Sequence, residues 1–163
     1  MAGTLAPVTE DYDVPLSVIR GFSSVTYAHE IAAQWREIEK PIFAYYLGDL
    51  DPSGLELERD MQEKLERYSH REFSWQRLAV TLADFSAFNL FPLEPKEKDV
   101  RTKRFREQGY RQCAELDAIP ATELRTRIEQ AILRHIPSGE WERLEHIEQL
   151  ERERWQETLE LMR

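Results

Sequence analysis

The uncharged stretch from Ile42 to Gly48 limits the folds open to this chain more than any other feature. All seven residues, IFAYYLG, are apolar, aromatic or glycine, which is typical of a strand buried on both faces of a parallel sheet. Two acids, Asp49 and Asp51, follow at once. Side chains at i and i+2 after such a strand project the same way, into the crevice where open α/β sheets bind ligands.

The residues after this strand predict a turn, a helix and a metal site. Residues 52–54 (Pro-Ser-Gly) make the turn, and Ser53 with Glu56 fits a capping box that begins a helix. Two carboxylates held close repel each other unless a cation lies between them, and Mg2+ prefers oxygen ligands. We therefore predict that Asp49 and Asp51 are metal ligands. The alternative is that they are ordinary turn and cap residues.

Strand and helix patterns alternate on both sides of this stretch. A β-branched run at 16–20 predicts a strand, and apolar residues with a 3.6-residue period predict a helix at 25–38. The helical period returns at 57–68, and residues 73–81 predict another strand. Strands and helices that alternate with short connections are typical of a right-handed parallel α/β unit. We therefore predict an α/β fold with a parallel sheet.

The second half of the chain has a weaker pattern. Residues 82–98 predict an irregular connection, residues 96–111 a mobile basic surface loop, and residues 114–119 a short extended segment. A helix is predicted at 124–135. The last stretch, 140–163, has an imperfect helical stripe of apolar residues, which either packs on its own domain or contacts a protein partner or a second copy of the chain.

Composition limits the class of protein. A chain of 163 residues with 41% hydrophobic and 33% charged residues is expected to form one domain with a proper core. No apolar run is long enough to cross a membrane, and the N-terminus lacks a signal-peptide pattern. The single cysteine, Cys113, excludes an internal disulfide and a cysteine zinc cluster. We expect a cytoplasmic protein without a membrane partner.

The charge distribution bears on nucleic-acid binding. The net charge of −9 opposes DNA binding through bulk electrostatics. Residues 96–111 nevertheless contain seven basic and three acidic residues, a local excess of +4. This stretch either contacts a DNA backbone or is an ordinary solvated loop. Arg20, at a predicted strand end, either contacts phosphate or forms an internal salt bridge.

Three stretches, taken together, resemble a known family. GDLDPSG at 48–54 is preceded by RGFSS at 20–24 and followed by AELDAI at 114–119. In this order they resemble the Toprim domain, in the version found in the A subunit of topoisomerase VI and its meiotic double-strand-break relatives. The corresponding segments of that family read D-x-D-P-x-G, K-G-x-P-like and E-L-E-A-L-like. The resemblance extends over roughly residues 14–135.

The resemblance implies a fold and a metal site. The implied fold is a Toprim-like, Rossmann-like parallel-sheet domain at 1–136, with the amphipathic helix at 137–163 as a C-terminal extension. In that family the two aspartates of the D-x-D hold Mg2+, and a glutamate at the end of the first strand completes the site and can act in acid/base chemistry at phosphodiesters. The matching residues here are Asp49 and Asp51 as catalytic and metal-binding residues, with Glu115 and Asp117 at the later acidic pair.

Two parts of that family's machinery have no match here. The first-strand glutamate is missing, because the predicted elements begin after the place of that strand. The chain is then a piece of a longer protein, or another acid such as Glu10 or Glu30 replaces the glutamate. The topoisomerase tyrosine belongs to a separate domain in the family. Tyr110, in the basic stretch, is the tyrosine that we expect to be exposed.

The leading interpretation is a module that binds Mg2+, or Mn2+ in its place, and acts on DNA phosphodiesters. It would support topoisomerase- or nuclease-like strand cleavage within a larger protein, with Arg20, Lys103, Arg104 and Arg106 as the DNA contacts. One alternative is a catalytically silent Toprim-like binding or scaffold domain. Another is a haloacid-dehalogenase-like phosphatase, whose D-x-D also follows a parallel strand. Pro52 after the motif and the lack of a later G-D-x-x-x-D argue against the phosphatase.

Overall fold

The computed structural model describes residues 2–19, 21, 25–96, 99–137 and 139–161, without the side chains of 145 and 161. Within these residues the fold is mixed α/β, with two parallel strands, seven α-helices and one short 3-10 helix. The elements are α1 (Ala2–Glu10), α2 (Val25–Arg36), β1 (Ile42–Leu47), α3 (Pro52–Ser69), β2 (Phe73–Ala79), α4 (Leu82–Ala87), α5 (Arg101–Glu107), the 3-10 helix (Leu116–Ala118), α6 (Ala121–Leu133) and α7 (Glu140–Leu161).

The chain divides into two compact units, Met1–Ile128 and Glu129–Arg163. The first unit holds both strands and helices α1 to α5, and α6 begins in it. The second unit holds the end of α6 and all of α7.

The strand-helix-strand unit at the centre of the first unit confirms the predicted elements. β1 and β2 pair in parallel from Ile42 opposite Phe73 to Tyr46 opposite Arg77, and α3 connects them. The register shifts by one residue after Tyr46, so that Leu47 lies opposite Ala79. The predicted strands at 42–48 and 73–81 thus exist, each shorter by one or two residues at its carboxyl end.

The core of the first unit lies between α2, α3 and one face of the sheet. Four fully buried side chains form its centre, two from each helix. Aromatic residues from β2 close the cluster, and Phe73 packs edge-on against Trp35 with ring centroids 4.9 Å apart. Burying an aliphatic or methionine side chain contributes about 1.5–3 kcal/mol, so this contact holds α2 and α3 against the strands. The four central residues are Ala28, Ala32, Met61 and Leu65.

Three predictions about local structure are wrong. Residues 16–19 form neither helix nor strand, and Arg20, the end of the predicted strand, lies outside the described residues. A β-branched run becomes a strand only where a neighbour accepts its backbone hydrogen bonds, and within the described residues β1 and β2 pair only with each other. The connection at 82–98 begins with α4, and the basic stretch contains α5 instead of a loop. Buried Thr102 and Phe105 hold α5 in place.

The second unit presents an apolar stripe on α7. Leu144 is 57% exposed, Trp155 69% and Leu159 62%. The helix is also held by local ion pairs, such as that between Arg152 and Glu148 at i and i+4. Among the helices of the described residues, none combines the length and apolar character needed to cross a bilayer.

Candidate functional site

The turn between β1 and α3 holds the D-x-D motif, and Asp51 is the residue that caps the helix. Its backbone is extended, with φ −147° and ψ 170°, and its Oδ1 accepts a hydrogen bond from the Gly54 N–H at 2.5 Å. The predicted capping box of Ser53 and Glu56 is therefore wrong. Both Asp and Ser cap helices well, and the structure uses the aspartate two positions earlier. Glu56 pairs instead with Arg59 on the same helix.

Asp49 is held from a distant part of the chain. Its Oδ1 accepts a hydrogen bond from the Leu116 N–H at 2.8 Å. Next to this contact, Leu50 and Ala114 form an antiparallel bridge, with N to O distances of 2.9 and 3.0 Å. The segment that was predicted as extended therefore bridges at Ala114 and then turns into the 3-10 helix. It packs its backbone against the D-x-D turn.

These contacts leave each aspartate with one oxygen to offer a cation. In the part of the chain that the structure describes, Oδ2 of Asp49 and Oδ2 of Asp51 accept no hydrogen bond from protein. A backbone N–H on one carboxylate oxygen orients the other, as outer contacts do around metal ligands. Mg2+ is commonly held by one or two carboxylates, with water at its other positions. Each aspartate therefore keeps one carboxylate oxygen of the kind that Mg2+ takes as a ligand.

The other acids predicted for the site contribute less. Glu115 and Asp117 flank Leu116 and are exposed. No cluster of three or more acidic, histidine or cysteine side chains suited to a metal is found among the described residues. Glu10 and Glu30 lie on α1 and α2 and are exposed, so neither follows a strand. A cation at this turn would therefore be held by the carboxylates of Asp49 and Asp51.

A largely buried ion pair lies beside the turn, and no sequence pattern predicted it. Arg77 on β2 donates from Nε to Glu58 Oε2 at 2.8 Å and from Nη1 to the carbonyl of Gly48 at 2.9 Å. Trp75 Nε1 donates to Glu58 Oε1 at 2.9 Å. One signal was available in the sequence. An arginine in a strand expected to be buried needs a carboxylate partner, because an unpaired buried charge is costly.

The basic residues of α5 face two different depressions. Arg104 lines a groove of about 310 Å³ between α3 and α5, together with Arg101 and Tyr110. Lys103 and Arg106 line a separate depression of about 910 Å³. The structure therefore does not bring Lys103 and Arg106 together with Arg104. The fourth predicted DNA contact, Arg20, lies outside the described residues.

Electrostatics link α5 to the aspartates. Arg101 forms a bidentate ion pair with Asp99, with N to O distances of 2.8 and 2.7 Å. The pKa of Arg101 is raised mainly by this hydrogen bonding, and the negative charges of Asp51 and Glu56 raise it further. Arg104 is more loosely paired, 3.7 Å from Glu56 and 54% exposed. It is therefore available to an incoming anion.

Two other groups near the turn, Cys113 and Tyr110, are held in packed surroundings, and Tyr110 is not exposed as the sequence predicted. Burial, with a contribution from the charge of Asp51, raises the pKa of the Cys113 thiol to about 11. Cys113 is therefore a neutral core residue at physiological pH, because the thiolate is the reactive form. Tyr110 is half-buried and stacks on Phe105 with ring centroids 5.1 Å apart. This contact makes Tyr110 part of the groove wall.

Comparison with known proteins adds no relative. No protein-family model, curated protein or solved structure matches this chain. The geometry of the turn and of α5 is therefore the basis for a functional proposal.

Proposed function

We propose that this chain is a Mg2+-binding, Toprim-like module that acts on DNA phosphodiesters within a larger topoisomerase- or nuclease-like protein. One observation carries the proposal. Asp49 and Asp51 follow a parallel strand, and each is fixed by a backbone N–H on Oδ1 while Oδ2 makes no hydrogen bond within the described residues. The D-x-D-P-x-G pattern and the acidic segment packed against it also support this function.

The proposed roles of the residues follow from their charges. Asp49 and Asp51 would hold the ion. When bound, Mg2+ polarises a phosphoryl oxygen and offsets charge at the scissile phosphate. Arg104 on α5 would bind a phosphate of the same strand, because it borders Glu56 and Pro52 in the groove next to the turn. Lys103 and Arg106 would contact the backbone farther away.

Thermal unfolding with and without Mg2+ or Mn2+ tests the metal site. We expect saturable stabilisation of the wild type. An ion at ten times its dissociation constant adds about 1.4 kcal/mol, or about 3–5 °C for a chain of this size. The double variant Asp49→Asn with Asp51→Asn is the matched comparison. Asparagine keeps an oxygen for the backbone N–H donors and caps helices as well as aspartate, so it removes only the charge.

The double variant should keep the metal-free melting temperature and lose the metal-induced shift. A wild-type protein that does not respond to Mg2+ or Mn2+ would contradict the metal assignment. Nicking of a supercoiled plasmid tests the chemistry in a second assay. We expect metal-dependent nicking that the double variant lacks. The full open reading frame would show whether a glutamate-bearing strand precedes this segment.

A second candidate function is protein binding through α7, as a scaffold that does not cleave DNA. The exposed apolar stripe of Leu144, Trp155 and Leu159 favours it. Sedimentation equilibrium would then give a mass above that of one chain, and Trp155→Glu with Leu159→Glu would return it to the single-chain value. A scaffold would also bind no DNA at low or moderate salt.

A further inference from the structure

A tyrosine side chain reaches the carboxyl end of β1 from inside the fold. Tyr46 is buried, with 9% of its surface exposed. Its ring lies near-parallel to that of Trp75, with centroids 5.8 Å apart and an angle of 28°. The guanidinium carbon of Arg77 lies 5.0 Å from the Tyr46 ring centroid. Stacking and a cation–π contact therefore fix the ring in one position.

Gly48 shows where the hydroxyl end of that ring lies. A Cβ at Gly48 would be 2.7 Å from both Oη and Cε1 of Tyr46. Such a contact is too short for any real side chain, so the phenol lies directly across the glycine. Its hydroxyl therefore lies beside Gly48, the residue that immediately precedes Asp49. The absence of a side chain at Gly48 is what lets the phenol extend this far.

The Tyr46 hydroxyl is open to a partner from outside the protein. No hydrogen bond of Tyr46 Oη is found among the described residues, and Oη is not one of their fully buried polar atoms that lack a partner. Part of this oxygen is therefore accessible to solvent, next to the turn. A water or a ligand oxygen there can accept its hydrogen bond.

Burial, more than the surrounding charges, keeps the Tyr46 hydroxyl protonated. The pKa of Tyr46 is raised to about 12, mainly by burial. The positive charge of Arg77 opposes this, whereas the negative charges of Glu58, Asp49 and Asp51 raise the pKa further. The side chain is therefore a neutral phenol at physiological pH, and its pKa responds to the charges of both aspartates. A neutral phenol donates a hydrogen bond.

We propose that the Tyr46 hydroxyl is a third polar group of the Asp49 and Asp51 site, donating a hydrogen bond to an oxygen held at the bound cation. This inference rests on the proposed metal binding. The oxygen can belong to water or to a phosphate, since both present the same acceptor. Tyr46 is then a binding residue outside the D-x-D-P-x-G pattern. Gly48 is needed with it, because any side chain at position 48 would collide with the phenol.

Titration calorimetry with Mg2+ alone tests this role without any assay of activity. Tyr46→Phe removes the hydroxyl and keeps the ring that stacks on Trp75. Partners just outside a metal's ligands typically change affinity 10- to 100-fold, and we expect Tyr46→Phe to weaken Mg2+ binding about 10-fold. Tyr68→Phe is the matched control, because it removes a phenol hydroxyl from the opposite end of α3.

Each outcome bears on one claim. Weaker binding in Tyr46→Phe and unchanged binding in Tyr68→Phe supports the inference. Equal binding in the wild type and Tyr46→Phe overturns the role of Tyr46 and leaves the metal site intact. A wild type that does not bind Mg2+ overturns the proposed function and this inference with it. Urea unfolding of the metal-free Tyr46→Phe protein should match the wild type, which separates lost binding from a lost fold.

Discussion

Arg77 and Glu58 form an ion pair that ties the carboxyl ends of both strands to α3. Arg77 Nη2 lies 2.7 Å from Glu58 Oε2, and the two side chains are 13% and 14% exposed. Nη1 of the same arginine donates to the carbonyls of Gly48 at 2.9 Å and Val80 at 3.2 Å. One guanidinium thus satisfies backbone groups at the ends of β1 and β2, where the D-x-D turn begins.

Removing this arginine should destabilise the protein strongly. Arg77→Met leaves Glu58, whose side chain is only 14% exposed, without its counter-charge, and we expect a loss of about 3 kcal/mol in the free energy of unfolding. Arg59→Gln is the control, because Arg59 pairs with Glu63 on the more exposed face of the same helix and should cost about 1 kcal/mol or less. Urea unfolding measures both. Similar losses in the two variants would argue against a structural role for Arg77.

Gly54 should tolerate no side chain. A Cβ there would press against the backbone carbonyl of Asp49, which cannot move without the turn. We expect Gly54→Ala to cost about 1–3 kcal/mol, as overpacking does, and to weaken the Mg2+ response. Gly3→Ala is the matched control, since Gly3 lies on α1 with no atom within 4 Å of such a Cβ. It should be neutral or slightly stabilising.

Two substitutions at Asp51 should separate its role as a helix cap from its proposed role as a metal ligand. Asp51→Ala removes the helix cap and the ligand, and should cost about 1 kcal/mol of metal-free stability. Asp51→Asn keeps the cap and should leave that stability unchanged. Both should reduce the thermal shift with Mg2+. A full shift in Asp51→Asn would show that the carboxylate is not a ligand.

Asp84 should make stability depend on acid pH. Its side chain is 2% exposed and lies 2.7 Å from Arg127. Burial alone would raise its pKa, but hydrogen bonds from Arg127 and the Thr81 N–H together lower it. A carboxyl group with a lowered pKa in the folded state contributes stability at pH values above its unfolded pKa of about 3.9. This contribution is lost as the pH falls through the lower pKa of the folded state.

The corresponding variant is Asp84→Asn. We expect it to cost about 3 kcal/mol or more at pH 7, with the difference from wild type shrinking below about pH 4. Urea unfolding from pH 7 to pH 3 measures it. Asp60→Asn, which breaks an i,i+4 pair with Lys64, should cost under about 1 kcal/mol. A loss in Asp84→Asn that is constant over this range would contradict the assignment.

Arg104 should contribute one ionic contact to DNA. Fluorescence anisotropy on a short duplex at several salt concentrations gives the slope of log affinity against log salt. Losing one phosphate contact reduces that slope by about 0.9, and we expect this for Arg104→Gln. Arg67→Gln, an exposed residue at the far end of α3, should leave it unchanged. Equal slopes in the wild type and Arg104→Gln would remove Arg104 from the DNA contact.

The elements around the turn could be predicted because their signals are local. The uncharged run of β1 and the helical period of α3 each specify a structure without help from the rest of the chain. The strand predicted at 16–20 does not form at 16–19, because a strand needs a neighbouring strand to accept its backbone hydrogen bonds. The helix α5 was missed because its charged surface is typical of a loop, while its anchor, Phe105, depends on packing that no local pattern reveals.

The site was predictable in part for the same reason. The placement of Asp49 and Asp51 at the end of β1 follows from strand geometry. Their partners could not be predicted, because Leu116 is 67 positions from Asp49 and Glu58 is 19 from Arg77. In the sequence, Tyr46 is one of the apolar and aromatic residues of the run at 42–48, and nothing local distinguishes it from a core residue. Only the contact with Gly48 reveals the direction of its hydroxyl.

The cap at Asp51 gives this residue two separate reasons to be retained. Its Oδ1 caps the first turn of α3 whether or not its Oδ2 binds a cation. Under the proposed function, a relative that no longer bound the ion would still favour a short polar side chain at positions 49 and 51, and asparagine would satisfy the backbone equally well. Negative charge at both positions, rather than the shape of the loop, is therefore what would distinguish a relative that binds the ion from one that does not.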